Sequence, residues 1–306
     1  MPLTLVVFAG FYPAARHAER YADTLAQALH GPLVLLHVNR AALYDPYKIV
    51  GERYRQDELA TETDTTAALH RQAAALRTPA TVLVTTDLLP EVARDVAARH
   101  HPALFVLSQP DPARPAASVV ADCAELLRAG QHALLVVPAG APADQPPRRV
   151  LIAADREPFA LAPAAGALRD LLARPGTALV VAHVSDGVED DTGCAAALRA
   201  VQASGLVDGL PIPELRGYAR DDYEAGVLAA VQDTQADLVV VFARQRSYWG
   251  ELFHRSVTAR LLADCPVPVL VLPTAAEVRP APGPPDHTAT AAQYASGLLA
   301  GLAPAA

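Results

Sequence analysis

Lysine is almost missing from this chain. Lys48 is the only one, and its surroundings, YDPYKIV, are not the G-x-x-x-x-G-K-[ST] loop of a P-loop NTPase, so that class is excluded. A G-x-S-x-G elbow is also absent, which removes the α/β-hydrolases. Cysteine is scarce: Cys123, Cys194 and Cys265 are scattered and odd in number. Their spacing supports neither a disulfide framework nor a zinc site, and a reduced, cytoplasmic setting fits best. No apolar run approaches the ~18 residues needed to cross a bilayer, so no membrane partner is expected. The opening MPLTLVVFAG carries no basic leader and reads as a first strand. Positive charge is in deficit, with 25 Lys+Arg against 33 Asp+Glu and a net charge of −8, which argues against general nucleic-acid binding.

What the chain does have is a repeat. Leu33 to Asn39, LVLLHVN, returns as Leu179 to Ser185, LVVAHVS. LVVFA at Leu5 matches VLIAA at Val150, ALFVLS at Ala103 matches DLVVVF at Asp237, and LLVVP at Leu134 matches VLVLP at Val269. Four apolar segments recurring in one order predict two copies of one domain, residues 1–140 and 149–273. The proline-rich AGAPADQPPR between them is the linker. Beyond it, residues 274–306 form a Pro/Ala-rich tail in which Tyr294, Leu298 and Leu302 make a weak helical stripe.

In copy one, strands are expected at residues 4–8, 33–38, 80–85, 104–107 and 133–137, with helices near 14–29, 52–76, 88–99 and 118–127. In copy two, strands are expected at 150–154, 178–184, 214–218, 238–242 and 269–272, with helices near 161–173, 192–203, 222–235 and 256–263. Strict β/α alternation with valine-rich strands predicts an α/β fold of two doubly wound parallel five-stranded sheets. Each fifth strand is short and apolar and is followed by proline; at sheet edges the two are expected to pair antiparallel and make the chain an intramolecular pseudo-dimer.

Residues 236–273 are the most informative stretch. Strand, loop, helix and strand follow one another there, and the loop 243–255 leaves the carboxyl end of its strand, where open α/β sheets bind ligands. With its Ser-Val helix start and Cys265-Pro266, the His-Val ends at His37-Val38 and His183-Val184, and IAAD ending in Asp155, the chain resembles the universal stress protein family in its tandem form. The resemblance covers about residues 2–140 and 149–273. It implies a Rossmann-like fold and, in the ATP-binding members, a G-x-x-G loop after strand four, followed nine residues later by G-[ST]. Here the three glycine positions hold Phe242, Gln245 and Arg255, and only Ser256 is kept. A side chain at each position crowds phosphate oxygens, so ATP is expected to bind weakly or not at all. In copy one, Ser108 stands at the first glycine position and Gly10 stands opposite Asp155.

The cofactor-site candidates, for a nucleotide or an anion, are Asp155, Val184, Arg244, Arg246, Arg255 and Ser256. Asp155 suits a ribose contact and equally a cap on the next turn. Ser256 suits a phosphate and equally a helix N-cap. Arg244, Arg246, His254 and Arg255 together suit an anion, since arginine forks match phosphate oxygens. Tyr248, Trp249 and Phe253 suit base stacking or loop packing. His37 and His183 read as repeated structural residues, and Cys265 as a core thiol. No nucleophile–base pair or metal constellation emerges. The leading expectation is a non-enzymatic cytoplasmic stress protein without a bound cofactor, acting through an unknown protein partner or a homodimer of the tandem chain. A nucleotide switch with weak ATPase activity and an anion or metabolite sensor are the alternatives.

Overall fold

The computed structural model describes residues 2–39, 52–110, 116–130, 132–162, 168–244 and 257–275. The first half runs β1 (Thr4–Phe8), α1 (Pro13–Leu29), β2 (Leu33–Val38), α2 (Glu52–Ala74), β3 (Ala80–Thr85), α3 (Leu89–Arg99), β4 (Ala103–Ser108), α4 (Ala116–Gly130) and β5 (Ala133–Val137). The second half runs β6 (Arg149–Ala153), α5 (Arg169–Leu172), β7 (Ala178–Ser185), α6 (Asp191–Ala203), β8 (Glu214–Ala219), α7 (Tyr223–Thr234), β9 (Leu238–Ala243), α8 (Val257–Asp264) and β10 (Val269–Pro273). All ten expected strands form, with ends shifted by no more than a residue.

Helix signals are local and legible. Pro13 starts α1, where its missing N–H costs nothing, and His30 closes it in the left-handed conformation at φ 52°. Asp222 caps α7 by accepting from Glu224 N, and Asp190 caps α6 by accepting from Gly193 N. Of the helix expected over residues 161–173, Arg169–Leu172 is helical, Leu161 and Ala162 are not, and residues 163–167 lie outside the described residues. Leu161 instead forms an antiparallel bridge to Thr274, and Ala162 N donates to Pro273 O. The apolar alanine and leucine content suggested a helix, but the backbone here is taken by the end of β10.

The ten strands form one sheet in the order β3-β2-β1-β4-β5-β10-β9-β6-β7-β8. Each half is parallel, and the halves meet where β5 and β10 pair antiparallel. Strand register is the same in the two halves. Leu5 lies opposite Leu33 as Val150 lies opposite Leu179, and Leu5 opposite Leu104 as Val150 opposite Leu238. At the seam Leu135 faces Leu270, flanked by Val136–Val269 and Leu134–Val271, so the two-fold relation passes through the leucine pair. An apolar edge that would otherwise be exposed is thereby paired within the chain.

The seam is tied above and below the sheet as well. Both faces carry apolar cores that run across it: Phe105, Leu126 and Leu134 join Val269 and Leu262 on one face, and Leu25, Leu33 and Leu135 join Leu270 and Val201 on the other. Helix α4 packs on α8. Just past β4, the Gln109 side-chain amide donates to Cys265 O at 2.9 Å and to Leu262 O at 3.4 Å, satisfying carbonyls at the end of α8. Cys265 is fully buried, as read from its place before Pro266, and burial pushes its thiol up to about 11. All three cysteines are buried and unbridged. Thr274 and Ala275 remain bonded to the domain through Ala243 O and Ala160 O. The helical stripe at Tyr294, Leu298 and Leu302 lies outside the described residues.

His132, at the start of β5, is 8% exposed, with its ring centroid 5.0 Å from that of Phe105 and its Nε2 unpartnered among the described residues. Burial lowers its pKa to about 4 from 6.5. Below 6.5 the unfolded chain binds this proton and the folded chain does not, so His132 subtracts stability as pH falls from 6.5 to 4, by up to about 3 kcal/mol. Glu19 tilts the opposite way in an overlapping window, since burial raises its pKa from 4.5 to about 7. The difference between His132→Phe and the parent therefore isolates the histidine. Denaturant melts at pH 7 and pH 4.5 should show the variant losing less stability than the parent, and equal losses would contradict this.

Candidate functional site

In a sheet ordered 3-2-1-4-5, the direction of the crossovers reverses between the first and fourth strands, and a crevice opens at their carboxyl ends. This chain has two such crevices, at β1/β4 and at β6/β9.

In the second crevice, Ala154 leaves β6 and presents Asp155, while Arg244 leaves β9 directly opposite. The Arg244 guanidinium turns inward. Its Nη2 donates to Asp155 Oδ1 at 2.6 Å and to Glu157 O at 2.9 Å, and Nη1 donates to Pro158 O at 3.3 Å. The Glu157 carboxylate lies 3.6 Å from Nη1, and the cation sits 6.0 Å from the Phe159 ring centroid. Phe159 in turn packs at 4.1 Å on Phe242, the residue at the first of the three glycine positions. The Arg244 side chain is only 13% exposed. Asp155 Oδ1 also accepts from Glu157 N at 3.0 Å, so the carboxylate caps the turn after β6 as well as holding the arginine. The buried Tyr223 phenol nearby is raised in pKa by burial, and the Asp155 charge adds to the shift. Among the described residues, the Arg244 charge is thus met by carboxylates of the same chain.

Val184 is 9% exposed and packs on α7. It is the reason for Gly226, where an added Cβ would lie 2.3 Å from Val184 Cγ1. Arg246, Arg255 and Ser256, with Tyr248, Trp249, Phe253 and His254, lie outside the described residues.

The first crevice is bridged differently. Tyr12, in the loop between β1 and α1, reaches across to β4, where its hydroxyl lies 3.2 Å from Ser108 Oγ. Its ring lies against Gly10, where an added Cβ would come within 2.7 Å of Tyr12 Cε1. Gly10 occupies the place of Asp155 in the repeat, so an acid in one half is exchanged for a glycine and an overlying phenol in the other. His37 and His183 are equivalent: their Nδ1 atoms lie 3.0 Å from Ala9 O and 3.3 Å from Ala154 O, tying the second strand of each half to the end of the first. Sequence reading singled out Asp155, Arg244 and Ser108 but missed Tyr12, Glu157 and Phe159. Two of these lie within four residues of Asp155 and would have been reached by reading the whole loop after strand one. No group of three or more metal-ligating side chains occurs among the described residues.

A profile of the Universal stress protein family matches residues 146–273. No curated protein matches the sequence. Among solved structures, the chain resembles a universal stress protein from Archaeoglobus fulgidus DSM 4304 at TM-score 0.64 and 15% identity, covering 88% of this chain and 97% of that one. It also resembles a putative universal stress protein from Pseudomonas aeruginosa UCBPP-PA14, at 0.51 and 16%, covering 90% and 94%. The cytoplasmic domain of a prokaryotic cation chloride cotransporter superposes at 0.50 and 11%, covering 89% and 94%. At these identities the structural likeness is one of fold. No described helix is long and apolar enough to cross a membrane.

Proposed function

We propose that this chain, whose residues 146–273 belong to the universal stress protein family, is a tandem, non-enzymatic member that acts through binding or assembly rather than nucleotide turnover. The observation that carries this reading is the 2.6 Å bond from Arg244 to Asp155 inside the second crevice. A nucleotide entering there has to displace a guanidinium that already has two carboxylates, two carbonyls and an aromatic face. Charge-assisted bonds of this kind are worth about 1.5–3 kcal/mol each, and the incoming ligand forfeits them. In the first crevice the Tyr12–Ser108 contact occupies the corresponding space. The two halves, joined at β5 and β10, serve as the pseudo-dimer of a single-domain relative. We place the protein in the cytoplasm, where its free surfaces meet a protein partner or a second copy of the chain.

Calorimetric titration with MgATP tests the reading. The expected result is no binding in the micromolar range, for the parent and for Asp155→Ala alike. A micromolar affinity that Asp155→Ala weakens would overturn it.

A further inference from the structure

Away from the β6/β9 crevice, α1 and α2 flank a cavity of about 430 Å³, within the range of small-molecule sites. Arg16, Arg20 and Arg71 line it. Among the described residues none of the three has a carboxylate within ion-pair distance, and the nearest polar partner is His17 Nδ1, 3.5 Å from Arg20 Nη2. Around this cavity three guanidinium groups face the single carboxylate of Glu19, an excess of positive charge among the described residues that favours an anion.

The inner wall has the opposite character. Glu19 lines the cavity yet is only 3% exposed, and its one hydrogen bond among the described residues is a long 3.4 Å contact from Gly10 N. Gln72 donates to Gly10 O at 3.3 Å, and its Oε1 is buried without a partner among the described residues. Buried acceptors left unmet cost about 1–3 kcal/mol each, which a ligand supplying donors would recover. Phe11, 43% exposed, adds an apolar wall.

We propose that this cavity binds a small phosphorylated, hydroxyl-bearing metabolite, with Arg16, Arg20 and Arg71 on the phosphate and Glu19 and Gln72 accepting from the hydroxyls. The site is separate from the β6/β9 crevice, since neither Asp155, Val184 nor Arg244 lines it, and it adjoins the end of β1 through the bonds of Glu19 and Gln72 to Gly10. The groups facing Glu19 are Arg16 and Arg20 from α1, Arg71 and Gln72 from α2, and the Gly10 N–H after β1. Burial dominates and lifts its pKa to about 7, with Arg16 and Arg20 pulling it back. As pH falls from 8 to about 7, above the phosphate's own second ionisation at about 6, binding therefore tightens because the carboxylate loses its charge.

The test is calorimetric titration of the full chain at low salt with ribose 5-phosphate and with free ribose. Ribose 5-phosphate should bind, and free ribose should be much weaker. Arg16 and Arg71 are exposed, so Arg16→Ala combined with Arg71→Ala should keep the parent melting temperature. The same double variant should lose about tenfold or more in affinity. Glu19→Gln should flatten the pH dependence near neutrality, and Arg244→Ala should leave affinity unchanged. Absence of binding at millimolar ribose 5-phosphate would overturn the proposal. So would an affinity unmoved by the double arginine change, or one lost in Arg244→Ala, which would put the ligand in the β6/β9 crevice.

Discussion

Lysine placed at both Leu135 and Leu270 is expected to part the two half-sheets. Both leucines are 0% exposed and face each other at the centre of the β5–β10 seam. Two ammonium groups there have no counter-charge and stand directly opposite one another, so each costs several kcal/mol and they add mutual repulsion. A domain's whole stability is about 5–15 kcal/mol, so the joint cannot absorb both. Limited proteolysis should then cut within the linker at 139–148, and the single melting transition should broaden or split. Leu135→Lys combined with Leu270→Glu should be milder, because the opposed charges attract. A double-lysine variant with the parent's melting curve and protease resistance would show that the seam does not hold the halves together.

The second large effect is expected at Arg244. Arg244→Ala removes the bond to Asp155 and two bonds to loop carbonyls, and leaves those acceptors to water. Asp155 is 46% exposed, so solvent recovers part of the loss and the net cost is about 2 kcal/mol. For a chain of this size that is a fall in melting temperature of roughly 5 °C. Arg244→Lys should recover little, because a single ammonium cannot reach Asp155 and both carbonyls in the fork geometry. Arg99→Ala serves as the contrast: its pair with Asp95 is exposed on both sides and should be silent in the same assay. An Arg244→Ala variant as stable as the parent would mean that the arginine does not hold the crevice closed.

The strands were legible because buried parallel strands are written in the sequence as short valine and leucine runs, and the repeat fixed their order twice over. Edge pairing through Leu135 and Leu270 followed from the strand order that the family resemblance implies. The extended backbone of Leu161 and Ala162 was not legible, because it is held by Thr274 and Pro273, more than a hundred residues away. Asp155 and Arg244 were each picked out, one as a ribose contact and one as an anion ligand. Their contact joins residues 89 positions apart, and no local pattern discloses which way an arginine turns. The α1/α2 cavity was missed for a related reason. Glu19 falls among apolar positions of α1, and only the packing of α2 shows that it is buried beside arginines from both helices.

The central claim is that the β6/β9 crevice is filled by the chain's own arginine. It is tested most directly by purifying the protein natively without added nucleotide, denaturing it, and measuring nucleotide in the supernatant. The expected result is far less than one equivalent per chain from the parent. Close to one equivalent of adenine nucleotide released from the parent would contradict it.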